Sequence, residues 1–153
     1  MRRILQPTME LIIVDHRPGD YQAIVELAEH DNWSLRFASD GQQALRLLHC
    51  QADWWLISSR VGGIPAQTLA ELIWARRSDA RIGIVSESYS QPEEIVWRQS
   101  GAAFYWAKPL GLGACRLIGD VSTSRSSVHP SFHVRGLRRS QQIATRCYAQ
   151  RSH

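Results

Sequence analysis

No stretch of this chain is long and apolar enough to cross a bilayer. The longest apolar runs, Leu11-Ile12-Ile13-Val14 and Trp54-Trp55-Leu56-Ile57, are strand-length and fall far short of the roughly 18 residues a spanning helix needs. Met1-Arg2-Arg3 would suit the start of a secretory leader, but Pro7, Glu10 and Asp15 interrupt any apolar segment, so none is expected. Cysteine is scarce. Cys50, Cys115 and Cys147 are odd in number and lack metal-type spacing, which argues against a disulfide framework and for reduced thiols in a cytoplasmic protein. His16, His30 and His49 share no ligand spacing either, and no metal site is expected. Lysine is nearly missing: Lys108 stands alone against seventeen arginines. Acid is missing from the end of the chain. From Val121 to His153 there are six arginines (Arg125, Arg135, Arg138, Arg139, Arg146, Arg151) and no Asp or Glu, which leaves 12 basic against 14 acidic residues before it. A mildly acidic body followed by a basic appendage is the expected organisation.

What is present fits one globular domain with a real core: 153 residues, 44% hydrophobic and 21% charged. The first 120 residues alternate strand and helix patterns. Leu11–Val14 is a short apolar run ending in a polar turn, as for a strand buried on both faces. Pro18 and Asp20 open a helix with Ile24, Leu27 and Ala28 at helical spacing, ending near Asn32. Trp33, Leu35 and Phe37 alternate as a second strand. A second helix covers Gly41 to Cys50, and Asp53–Ile57 is a third strand. Trp54 and Trp55 face opposite sides of it if the strand is regular, both as core. Pro65 begins a third helix with a buried stripe of Leu69, Leu72 and Ile73, and Ile82–Val85 is a fourth strand. Ser90 and Glu93 form a reciprocal capping box before Ile95 and Val96. Ala103–Ala107 is a fifth strand, and Leu112–Val121 a helix loosened by Gly111, Gly113 and Gly119. Ser122 to Ser127 has linker composition, and a short helix near Arg138–Gln150 has too few apolar residues for a core.

Five β-α units predict an α/β fold with a doubly wound five-stranded parallel sheet over residues 9–121 and a basic tail over 122–153. The functional cleft of such a sheet lies beyond the carboxyl ends of its strands. Asp15 and His16, Ser58 and Ser59, Ser86 and Glu87, and Lys108 and Pro109 are therefore the residues to weigh.

Four segments in order carry a family likeness: Leu11-Ile12-Ile13-Val14-Asp15; Ala38-Ser39-Asp40-Gly41-Gln42-Gln43-Ala44-Leu45; Asp53 through Leu69, with Gly63, Ile64 and Leu69 in place; and Gly101-Ala102-Ala103-Phe104-Tyr105-Trp106-Ala107-Lys108-Pro109. Over about residues 9–121 the chain resembles a chemotaxis-type (CheY-like, flavodoxin-like) response-regulator receiver domain. The resemblance implies a phosphate-accepting aspartate after the third strand and a magnesium ion held partly by two acids after the first. It also implies a hydroxyl after the fourth strand and a lysine after the fifth, both contacting phosphoryl oxygens, a following proline that is often cis, and an aromatic on the fifth strand that moves with the signal. Here Asp15 matches the first acid, but His16 stands at its partner position and Ser58 at the acceptor position. Ser86, Lys108, Pro109 and Tyr105 match. The loop after Ser58 departs from the pattern, with Gly62 where proline is usual and Pro65 where an acid is usual, and Glu87 replaces a small residue.

A serine hydroxyl is a poor phosphate acceptor without an adjacent base. His16 is the one candidate for that base, yet no orienting third group or oxyanion-hole motif is visible, and no enzyme activity is expected. Magnesium favours carboxylate and water oxygens, so with Asp15 alone of the three acids its binding is expected to be weak or absent, and no cofactor is assigned. Lys108 either meets a phosphate or sulfate as a compact ammonium or pairs with Asp15 across the cleft. The ion pair is the expectation. Tyr105 reads equally as switch and as packing. Trp97 and Trp106 lie on the face receivers commonly use for partners, with core packing as the alternative. The expected function is that of a degenerate receiver in two-component or phosphorelay signalling. It would act by binding a histidine kinase, a phosphotransfer protein or an output protein, with a homodimer also admitted and no membrane role. The alternative is a transcription-type regulator whose arginine-rich tail contacts nucleic acid through its phosphates, although nothing in the tail resembles a reading module.

Overall fold

The computed structural model describes residues 6–124 of the 153. Five strands, β1 (Met9–Val14), β2 (Trp33–Ala38), β3 (Trp54–Ser58), β4 (Arg81–Ser86) and β5 (Phe104–Ala107), form one parallel sheet in the order β2-β1-β3-β4-β5. The helices between and after them are α1 (Gln22–Asp31), α2 (Gly41–Arg46), α3 (Ala66–Arg76), α4 (Gln91–Ser100) and α5 (Leu112–Ser124), with a 3-10 turn at Pro18–Tyr21 ahead of α1. This is the doubly wound architecture expected from the β-α alternation. Among the described residues no helix is long and apolar enough to cross a membrane.

The period of two along each strand divides the core between the faces of the sheet. Ile12, Val14, Trp55, Ile57, Ile82, Ile84 and Tyr105 meet α2, α3 and α4 through Ala44, Leu69, Ile73 and Trp97. Leu11, Ile13, Trp54, Leu56 and Val85 meet α1 and α5 through Ile24, Cys115 and Ile118. Trp54 and Trp55 thus face opposite sides and are both buried. Asn32 closes α1 in the left-handed conformation, its φ being 57°. Asp40 caps α2 by accepting the Gln43 N–H at 2.8 Å, while Gln43 Oε1 accepts the Ser39 N–H at 2.9 Å.

Several elements differ from the sequence reading, each for a local reason. The helix α2 stops at Arg46 rather than Cys50, because Leu47 and Cys50 turn back their N–H groups to Ala44 and Leu47. Leu72 is exposed. The inward stripe of α3 is Ala66, Leu69, Ala70 and Ile73, and Leu72 lies about 100° away from Ile73 around the axis. The capping box of α4 is half made: the Ser90 hydroxyl accepts the Glu93 N–H, but the Glu93 carboxylate accepts the Tyr105 hydroxyl instead of reaching back. The helix α5 runs through Ser124, so Ser122 to Ser124 belong to it and not to a linker. The arginines from Arg125 onward and the helix expected near Arg138–Gln150 lie outside the described residues.

Gly83 on β4 is required by what covers it. A Cβ there would stand 2.8 Å from Leu56 Cδ2, 3.6 Å from the Trp106 ring and 3.9 Å from Phe104 Cβ. Above it Trp54, Phe104 and Trp106 stack, with ring centroids 5.5 and 4.6 Å apart. Over-filling a packed core costs about 1–3 kcal/mol. Gly83→Val is accordingly expected to lower the unfolding free energy by about that amount, as read by urea denaturation, with secondary structure retained.

Candidate functional site

The carboxyl ends of the strands gather the residues singled out by the sequence. Asp15 follows β1, its N–H donating to Ala38 at 2.9 Å; Ser58 ends β3, Ser86 ends β4, and Lys108 follows β5 with its N–H on the Ser86 carbonyl at 2.8 Å. The Lys108–Pro109 bond is cis. Among the described residues, the polar or charged ones that are buried are Asp15, Ser58 and Ser86. Polar groups are seldom buried without a reason, and all three of these line one cleft.

The loop after Ser58 is set by α2. The Gly41 N–H donates to Gly62 at 2.9 Å, and Gly63 has φ 83°. A Cβ on Gly41 would lie 2.8 Å from Ile64 Cβ and 3.1 Å from its backbone nitrogen. The resemblance residue Gly41 therefore serves to dock this loop.

At the centre stands the one lysine. Lys108 Nζ lies 2.7 Å from Asp15 Oδ2, 2.9 Å from Asp20 Oδ2 and 3.0 Å from Glu87 Oε1. An ammonium has three hydrogens, and three carboxylates receive them. From the end of β5 this side chain reaches an acid at the end of β1, spanning the ends of β4 and β3 that lie between them in the sheet. The expected Lys108–Asp15 pair is present, and Asp20 and Glu87 join it. The cleft is therefore not short of negative charge, as the loss of family acids suggested: three carboxylates surround one ammonium.

Asp15 is equally engaged. Its Oδ1 accepts the Arg17 N–H at 3.0 Å and lies 3.3 Å from His16 Nδ1, and its Oδ2 takes the Tyr21 hydroxyl at 2.8 Å besides Lys108. Burial pushes the Asp15 carboxyl up, but the hydrogen bonds from Lys108, Tyr21 and the Arg17 N–H outweigh it and hold it below the usual aspartate range. Burial likewise pushes Lys108 down, and its bonds to Asp15, Asp20 and Glu87 outweigh that, holding it above the usual lysine range. Tyr21, raised by burial and by its bond to Asp15, stays a phenol. Its ring also lies under the ammonium, 5.7 Å from Nζ, a weak further attraction.

The remaining residues divide. His16 is exposed and sits by Asp15, and among the described hydrogen bonds none joins it to Ser58. Ser58 Oγ accepts the Arg60 N–H at 3.3 Å, and Ser86 Oγ donates to the Ser88 carbonyl at 2.8 Å. Tyr105 is turned inward, 5% exposed, and its hydroxyl donates to Glu93 Oε2 at 3.0 Å. Trp97 is buried in the core, where α4 packs against the sheet. Trp106 is half-buried in the aromatic stack. Tyr89, 60% exposed, is the large aromatic that this face presents to solvent.

Sequence reasoning missed the roles of three residues. Asp20 looked like a helix opener, Glu87 like an odd replacement, and Tyr21 drew no notice. The signal for the first two was acid within a few residues of a strand end. Tyr21 left none, since a tyrosine at a helix start reads as packing.

Among the described residues no group of three His, Cys, Asp or Glu is arranged to hold a metal ion.

The shifts fix a pH dependence. A carboxylate held low in the folded state stabilises it above the ordinary aspartate range, and this is lost as the pH falls through the folded value. A lysine held high stabilises below the ordinary lysine range, and this is lost as the pH rises through its folded value. Stability is thus expected to be flat across neutral pH and to fall only at the acid and strongly alkaline extremes. Lys108→Met leaves Asp15 buried without its cation. Breaking such a pair costs on the order of 3–5 kcal/mol, and the loss is expected to be largest near neutral pH and to shrink as acid protonates Asp15, both measurable by circular dichroism.

No family model matches the chain, and no curated protein sequence matches it. Solved structures do. A putative response regulator from Chloroflexus aurantiacus is 19% identical, covers 78% of this chain and 99% of its own, and superposes with a TM-score of 0.67. The receiver domain of a Francisella response regulator is 19% identical over 77% of this chain and 98% of its own, with a TM-score of 0.66. A response regulator from Burkholderia pseudomallei, solved with a phosphorylated aspartic acid and a calcium ion, is 19% identical over 69% of this chain, with a TM-score of 0.61. This chain spans 63% of that protein's length. At such identities the likeness establishes the fold: a five-stranded parallel sheet with flanking helices, shared with response-regulator receiver domains.

Proposed function

We propose that the chain is a receiver-like signalling module that acts by binding a protein partner and is not phosphorylated on aspartate. One observation carries this reading. The two donors that the resemblance assigns to phosphoryl oxygens are already bound within the chain, the Ser86 hydroxyl to Ser88 and the Lys108 ammonium to three carboxylates. The acceptor position holds Ser58, a hydroxyl that accepts the Arg60 N–H and that, among the described hydrogen bonds, no side-chain base engages. The magnesium that the fold family implies finds no fit: both Asp15 oxygens have two partners each, and Asp20 and Glu87 point at the ammonium. Magnesium demands nearly octahedral oxygen ligands, and no step is routed through it.

Partners of the class that receivers meet, namely a histidine kinase, a phosphotransfer protein or an output protein, suit such a module. It has no catalytic role in this reading, and the work is done by surface recognition. The exposed Tyr89 and Val96 at α4 and the half-buried Trp106 of β5 supply apolar area there, the kind of side chain that dominates interface energies.

The test is phosphorylation by a small acyl phosphate with magnesium. Wild-type protein is expected to take up no hydroxylamine-labile phosphate. Ser58→Asp is expected to stay unlabelled as well, since Lys108 remains engaged. A labile phosphate on the wild type would overturn the proposal, and label on Ser58→Asp would show that the ammonium is free to serve.

A further inference from the structure

Resting on the receiver-like reading, we infer that Glu87 is the chain's own substitute for phosphoryl oxygens: an internal anion that binds Lys108 and fixes the β4–α4 turn without any phosphorylation. Both cleft donors converge on that one turn. Lys108 Nζ reaches Glu87 Oε1 at 3.0 Å, and the Ser86 hydroxyl reaches the carbonyl of Ser88 at 2.8 Å. A carboxylate and a backbone carbonyl thus receive the hydrogens that an incoming oxyanion would need.

The turn passes its position onward. It ends at Ser90, whose hydroxyl caps α4. Between them Tyr89 bonds Glu94 through its hydroxyl and sets its ring against Tyr105, edge-on, with centroids 6.0 Å apart. Tyr105 in turn donates to Glu93 on the first turn of α4. A path therefore runs from Lys108 to Glu87, along the turn to Tyr89, and from its ring to the inward Tyr105. The first step is an ion pair and the last a ring contact, with the backbone of the turn between them, and the path starts at Lys108. The side chain of Glu87 is 36% exposed, so water would accept it readily, and the ammonium is what draws it inward.

Asp20 completes the device from the other side of the cleft. It holds the third ammonium hydrogen from the turn after β1, with its side chain 38% exposed. Three carboxylates about one ammonium repel one another, so losing one of the two exposed acids relieves crowding as well as removing a bond. Removing Glu87 is therefore expected to free the turn while the domain stays folded. In physical terms the arrangement is constitutive: the anion is covalently part of the turn it positions, and its effective concentration does not depend on any donor.

Amide hydrogen exchange on the full chain tests this, with Glu87→Ala, Lys108→Met, the double variant, and Glu26→Gln as a surface control on α1. Glu87→Ala is expected to raise exchange across residues 87–94 on the order of tenfold, the signature of a local opening, while Leu11–Val14 stays protected. Lys108→Met is expected to loosen the same residues, and the double variant no more than Lys108→Met alone, because the Lys108–Glu87 coupling is already lost in that variant. Should Lys108→Met fail to fold, Glu87→Ala against Glu26→Gln still decides. Unchanged exchange at 87–94 in Glu87→Ala, or loosening equal to that in Glu26→Gln, overturns the inference on Glu87 and leaves the binding reading standing. A hydroxylamine-labile phosphate overturns the reading beneath it, in a separate measurement.

Discussion

The described structure turns on one ammonium group in a cleft of carboxylates. Lys108 joins three segments that are far apart in sequence: the turn after β1 through Asp15 and Asp20, the turn after β4 through Glu87, and β5 itself. Each strand end would otherwise project a polar loop into water with little to fix it, because the sheet's hydrogen bonds stop there. Electrostatics supplies what the sheet does not. The strength of the junction comes from its low exposure, 9% for the Lys108 side chain and none for Asp15, since charges attract more strongly where water is excluded.

Much of the fold could be read from residue pattern. Strand and helix periods placed all ten elements in order, and the apolar character of β1 and β3 showed that they would be buried on both faces. The errors arose where tertiary contacts override local preference. Glu93 has the spacing for a capping box, yet a buried phenol on β5 competes for its carboxylate and wins. Leu72 is apolar and helical but sits off the stripe by one position, which spacing alone shows only once the helix's rotation about its axis is fixed. Trp97 falls by resemblance on a partner face, with core packing as the alternative, and only the docking of α4 on the sheet decides which way the indole points.

The site was half legible. Asp15, Ser58, Ser86 and Lys108 stand at strand ends, a place that topology makes readable from sequence, and three of them are the buried polar residues of the described chain. Asp20 and Glu87 were not readable in the same way. Their part depends on loops closing over the cleft from opposite sides, and loop closure has no period in sequence. The lone lysine among seventeen arginines was the best hint. Arginine's planar fork suits paired, flat contacts, whereas a compact group with three diverging hydrogens suits three separate carboxylates, and this cleft presents the second geometry.

The aromatic stack over Gly83 constrains how this sequence can drift. The bare backbone on β4 leaves the space that the Leu56 side chain of β3 fills, with the Trp106 ring of β5 in contact beside it. A lineage that gained a side chain at Gly83 would first need Leu56 to shrink or move, and one that lost the rings would leave a void that glycine cannot fill. Substitutions at these strands should therefore appear as linked sets among descendants, inherited together or not at all.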